Sequence, residues 1–370
     1  MPLSNKYKLN WPDTQERFER WWLRQPTDRP LLRVTARRRQ PLGNTPRPSD
    51  PSCPQIYLDT GYLIQKHRHT FETTYYGGDA FPNVNANLGP GSLALYLGSE
   101  PVFDPRTVWF KPCIKSLDDT PLPEFNPANH WLRIHLDLIR RLQEAFFPDA
   151  YVAIPDLIES LDILAAMRDP MTLLYDLKDR PVACHRWLQR INALYAPHYD
   201  TFYNIVRDSD GSSVFTAFEI WGPGKTCKVQ CDFAAMISPD QFAEFYVPYL
   251  RDQIRGLNRV LYHLDGPSCI CHVDLLLTIE RLHAIQWVPG AGQPDCSDER
   301  WYPLYEKILN GGKGLQIYLP SANVLQFVRR FGGRGVYILT NVRTEREADE
   351  LVAACRRLCR GHRRQHRPDA

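Results

Sequence analysis

The sequence predicts an α/β chain, specifically a (β/α)8 barrel with N-terminal helices and an inserted hairpin. Short apolar runs followed by amphipathic segments recur along its 370 residues, beginning near Leu31, Phe81, Tyr151, Val214, Val260, Ala284, Leu315 and Val336. Eight such units around one core make this barrel, which needs only about 250 residues. A composition 43% hydrophobic and 24% charged supplies a large core. The alternative, a doubly wound sheet, lacks a GxGxxG turn after an early strand.

Thr14 to Leu23 places Phe18, Trp21 and Trp22 at helical spacing behind Asp13-Thr14, and Pro26 and Pro30 end that helix. Leu31 to Thr35 is the first strand, running into Arg37, Arg38 and Arg39, where an anion could be cradled or a loop simply solvated. Residues Gln40 to Pro54 read as a loop and Asp59 to Tyr75 as a helix. Asn85 and Asn87 then stand near a strand end, as ligands for polar groups or as turn formers. Val108 to Ile114, flanked by prolines, suits a hairpin or lid. The amphipathic helix Asn126 to Phe147 precedes the strand Tyr151 to Ile154, and a helix from Leu161 should break at Asp169-Pro170. After a long helix from Val182 to Arg207 comes the strand Val214 to Trp221. Ser238-Pro239-Asp240-Gln241 is a capping box with proline at the first helical position.

Arg259 to Gly292 reads as strand, polar turn, helix and strand. His263 and Asp265 lie two residues apart at the end of the first of these strands, so both side chains take the same face. In parallel α/β folds chemistry gathers where strands end, which makes the pair the first site candidates. A histidine and a carboxylate are acceptable Zn²⁺ ligands; the other reading is that they hydrogen-bond the Gly266-Pro267 turn. The remaining helices and strands carry the pattern to Leu358, giving one domain over 1–358 and a basic, unstructured tail over 359–370.

The formal charge of +3 is concentrated in the last stretch, Cys355 to Ala370, where six arginines from Arg356 to Arg367 face Asp369, so nucleic acid is not an expected partner of the body. Ten cysteines without a signal-peptide pattern read as reduced thiols of a cytoplasmic protein, and no stretch suits a membrane span. The aromatic content suits a homodimer surface.

Three passages resemble the uroporphyrinogen decarboxylase superfamily: RFERWWLRQPTDRPLLRV, CDFAAMISPDQFAEFYVPYL and VLYHLDG. The resemblance spans about Glu16 to Leu358 and implies the barrel, with a ligand pocket at its C-terminal mouth. The superfamily's zinc- and corrinoid-dependent methyltransferases carry His-x-Cys on the fifth strand and a later Cys. Here His263-x-Asp265 stands in that place, no thiol lies between Ile338 and Arg343, and a third ligand would come from Glu219, Cys271 or Cys296. The implied function is a methyltransferase-like activity linked to a corrinoid or tetrapyrrole, the corrinoid being a substrate or carried by a partner protein. His263, Asp265, Glu219 and Asp232 are then the expected catalytic residues, Arg38, Arg39, Asn85, Asn87 and Trp287 the expected substrate contacts, and Zn²⁺ the expected cofactor. The alternatives are a metal-independent decarboxylase of a porphyrinogen-like substrate and a non-catalytic corrinoid-binding protein.

Overall fold

The computed structural model describes residues 3–38, 45–48, 50 and 52–365. Arg39 therefore lies outside the described residues. The chain forms a mixed α/β fold around a mostly parallel sheet, and thirteen strands can be followed in order among the described residues. They are β1 (Leu31–Arg37), β2 (Thr74–Gly78), β3 (Asn83–Val84), β4 (Glu100–Phe103), β5 (Val108–Lys111), β6 (Tyr151–Val152), β7 (Ser213–Phe215), β8 (Ile220–Gly222), β9 (Thr226–Gln230), β10 (Arg259–Asp265), β11 (Ala284–Val288), β12 (Gly314–Tyr318) and β13 (Val336–Asn341).

The main sheet has seven strands in the order β2-β1-β13-β12-β11-β10-β9, parallel except for β2, which runs antiparallel along β1. Strands β3 and β6 form a separate parallel pair. The hydrogen-bonded ladder is thus open, not a closed ring. The Ala153 amide donates to the Val84 carbonyl and the Ile154 amide to the Val214 carbonyl, which carries the contact from the pair to β7.

Two corrections concern which runs form which strands. The segment near Val214 is not a strand of the parallel sheet: β7 and β8 fold into an antiparallel hairpin, and β9 is the strand beside β10. Apolar content alone made VFTAFEIW look like a core strand, and the two strands of the hairpin are indeed buried, while Ala217 at its tip is exposed. Its Val214, Phe215, Ile220 and Trp221 join Leu31, Phe81, Tyr151, Leu261, Ala284 and Tyr337 in one cluster, closed by Trp11, Phe18, Trp21 and Trp22. The second correction is β2, which takes the end of the segment expected to be helical; that helix runs Thr60–Thr73 and the strand follows at once.

The first helix, Trp11–Trp22, turns its aromatic face onto this hairpin, and the Trp22 indole N–H donates to the Trp221 carbonyl at 2.8 Å. The β4–β5 pair is the hairpin expected between prolines. The helical break falls at Asp169, between Ser160–Arg168 and Pro170–Asp179, and the Ser238 capping box forms with both reciprocal hydrogen bonds. The closing helix runs Glu345–Gln365, past the expected boundary at 358. Among the described residues no helix is long and apolar enough to cross a membrane.

Candidate functional site

Parallel pairing of β9, β10 and β11 brings three loop-bearing strand ends side by side. His263 is registered against Gln230 on one side and Gln286 on the other, and Asp265 closes β10. Beyond the end of β9 the chain makes a short helical turn, Asp232–Met236. The Asp232 and Phe233 amides donate to the two carboxylate oxygens of Asp162 at 2.8 and 2.9 Å, which pins this turn to the neighbouring helix.

The result is a cluster of Asp232, His263 and Asp265 with one ligand-type atom from each within 4.8 Å of the others. His263 Nδ1 is hydrogen-bonded to Gln286 Oε1, while Gln286 Nε2 donates to the Trp287 carbonyl at 3.0 Å. That second bond fixes the amide's orientation, so Oε1 faces the imidazole and Nδ1 must carry the proton. Nε2 is left with its lone pair. Burial, followed by the nearby Lys228 charge, pushes the imidazole down to about 4, so His263 is neutral near pH 7.

Asp232 accepts from Gln230 Nε2 at 2.8 Å, and Gln230 Oε1 in turn accepts from Lys228. Lys228 is wholly buried and pairs with Asp156 at 2.8 Å. A polar chain, Asp156 to Lys228 to Gln230 to Asp232, therefore runs beneath the cluster. The Asp232 residue is solvent-accessible, yet its carboxyl is pushed up to about 7, first by the surrounding protein and then by Asp162. Burial also raises the carboxyl of Asp265.

Other expected site residues lie elsewhere. Glu219 is not in the cluster; it makes a two-pronged ion pair with Arg33 at 2.6 and 2.8 Å, and its backbone sits at φ +48° in the tip joining β7 to β8. Phe218 from the same tip packs against the His263 ring at 4.9 Å. Cys271 is exposed and donates to the Ser268 carbonyl, while Cys296 is buried behind β11 near the Trp287 carbonyl, so neither thiol joins the cluster. Trp287 is fully buried against Trp301 and forms core, not a pocket wall. It alternates with the inward Gln286 and so points away from the site. Arg38 donates to the Thr74 carbonyl, which makes it a brace between β1 and β2. Asn85 and Asn87 are half-buried beyond β3, and the Asn87 side-chain oxygen is a buried acceptor with no partner among the described residues.

The fold resembles that of a solved methyltransferase. That protein, a methyltransferase from Methanosarcina mazei, matches with a TM-score of 0.61 at 11% identity, over 93% of this chain and 98% of its own. At that identity the likeness is one of fold. No protein-family model and no curated protein sequence matches the chain.

Sequence reasoning passed over Gln286, Gln230, Lys228, Arg33 and Asp162. Gln286, Gln230, Lys228 and Arg33 carried a usable signal, a polar residue interrupting an apolar strand: AIQWV, TCKVQ and LLRVTAR. A polar side chain held inside a buried strand has to be satisfied there, and sites are built from such residues. Asp162, in a helix, carried no such mark.

Proposed function

We propose that the chain is an enzyme of methyltransferase type whose working centre is a divalent metal ion held by Asp232, His263 and Asp265. Strands β1, β3, β6 and β9 to β13 are read as the eight strands of a (β/α)8 barrel, with the centre at its C-terminal mouth. The observation that carries the proposal is the cluster itself: three ligand atoms within 4.8 Å, with the histidine held neutral and its Nε2 free. An imidazole whose other nitrogen is fixed by a hydrogen bond is the usual preparation of a metal ligand. Two carboxylates and one imidazole suit Zn²⁺ or another first-row divalent ion, and make a harder site than one built on thiolates.

A divalent ion there supplies Lewis-acid chemistry, lowering the pKa of a thiol, hydroxyl or water bound to it. The protein's own groups hold and orient. Gln286 fixes the imidazole, and Gln230 positions the Asp232 carboxylate. A corrinoid, free or on a partner protein, would meet the same mouth. Decarboxylation of a polycarboxylated substrate is less well supported, because Arg33 is already committed to Glu219 and Arg38 to a backbone carbonyl.

Elemental analysis of the purified protein tests this reading. About one equivalent of bound metal is expected in the native chain, and a loss of most of it in His263→Ala and in Asp265→Ala at unchanged fold. A native protein that stays metal-free after incubation with excess Zn²⁺ overturns it.

A further inference from the structure

Next to Asp232 lies a cavity of about 460 Å³ between the β4–β5 hairpin, the Ser160–Arg168 helix and the Asp232–Met236 turn. Its walls are apolar, with Phe110, Ile158, Ile163, Phe233 and Met236 among them. Trp109, a residue 63% exposed, stands on the same wall at the tip side of the hairpin. A large indole left in water beside an apolar cavity is the arrangement of a binding wall more than of a folding core.

The charge on the lining is one-sided. Asp162, Asp169 and Asp232 all contribute to it, and no lysine, arginine or histidine does among the described residues. Asp169 is engaged at one oxygen in capping the Pro170–Asp179 helix, and both oxygens of Asp162 accept backbone amides. Asp232 belongs both to this lining and to the cluster with His263 and Asp265. A molecule filling the cavity therefore reaches Asp232, the one residue the cavity shares with that cluster.

We propose that this cavity is the substrate pocket and that it takes a small, apolar-bodied molecule carrying no negative charge, with its single polar group directed at Asp232. The inference rests on the reading of the cluster as the working centre only for which end of the molecule reacts. The body is held by apolar burial, which is indifferent to sign, and the carboxylates exclude anions. A benzene ring needs a cavity of about 150 Å³, so a one-ring molecule fits with room to spare for a larger apolar body.

The test uses the full chain and two probes of equal size, benzyl alcohol and benzoate, followed by saturation-transfer NMR in chelator-treated and in zinc-loaded protein. Benzyl alcohol is expected to bind in both states, and benzoate about tenfold more weakly or worse in the chelator-treated protein. Met236→Trp fills the cavity from an exposed position and is expected to weaken benzyl alcohol about tenfold with an unchanged melting temperature, while leaving zinc binding intact. Asp232→Asn should narrow the preference over benzoate. Benzoate binding as tightly as benzyl alcohol in the chelator-treated protein overturns the proposal, as does unchanged benzyl alcohol binding in both Met236→Trp and Ile163→Trp. Failure to bind zinc alongside normal benzyl alcohol binding would remove the metal reading and leave the pocket standing.

Discussion

Gln286 holds His263 by its Nδ1, and the Trp287 carbonyl holds Gln286, so the orientation of the imidazole is set by a backbone group of β11. Replacing Gln286 with alanine frees the ring without removing any ligand. The expected outcome is a zinc affinity about 10- to 100-fold weaker, in line with the loss of other outer partners of metal-bound histidines. Competition titration against a fluorescent chelator measures it. Gln286→Glu, which keeps an acceptor at the same place, should retain most of the affinity.

The raised carboxyls give the site a defined pH dependence. Asp232 titrates near 7 in the folded chain against about 3.9 for an unperturbed aspartate. Between those values the native state binds a proton that the unfolded state does not, so this group favours the metal-free fold at low pH. Its contribution is lost as pH rises through 7. Asp265 acts in the same direction. Metal binding needs the deprotonated form, so zinc affinity should fall as pH drops below 7, and zinc should stabilise the protein more at pH 8 than at pH 5. Thermal melts with and without zinc across that range check both signs. Asp232→Asn should flatten much of the metal-free trend.

Much of the fold was legible because strand spacing, the Asp169-Pro170 break and the Ser238 capping box are local signals. The misreading of Val214 to Trp221 has a physical reason. A hairpin whose two strands are buried is as apolar as a central strand, and only its partners tell the two apart. The pair His263 and Asp265 could be read from strand alternation, but the sequence offers Glu219, Cys271 and Cys296 as the third ligand and Asp232 only as a further catalytic residue, so the true third member of the cluster was not selected. That choice depends on β9 lying beside β10, and on Asp162 holding the turn that carries Asp232. Glu219 was drawn instead to Arg33, a residue on β1 far away in sequence. Trp287 differs from Gln286 by one position, and in a strand one position is the difference between core and site.

Lys228 links the stability of the fold to the centre. Its ammonium is wholly buried, pairs with Asp156 and donates to Gln230, which in turn donates to Asp232. Burial pushes the Asp156 carboxyl up and Lys228 draws it back, so removing the lysine leaves an acid without its counter-charge in a site of low polarity. Lys228→Met should therefore destabilise the protein by about 3–5 kcal/mol in urea unfolding, the cost of breaking a buried pair from one side. Removing both charges in Lys228→Met with Asp156→Asn should recover a large part of that loss, since neither partner is then stranded. Stability and site behave differently in the double variant: Gln230 has lost the group that fixed its amide, so it no longer presents Nε2 firmly to Asp232. Zinc affinity should stay weakened where stability returns. If both recover together, Lys228 acts only as a structural charge and the chain to Asp232 carries no influence on the centre.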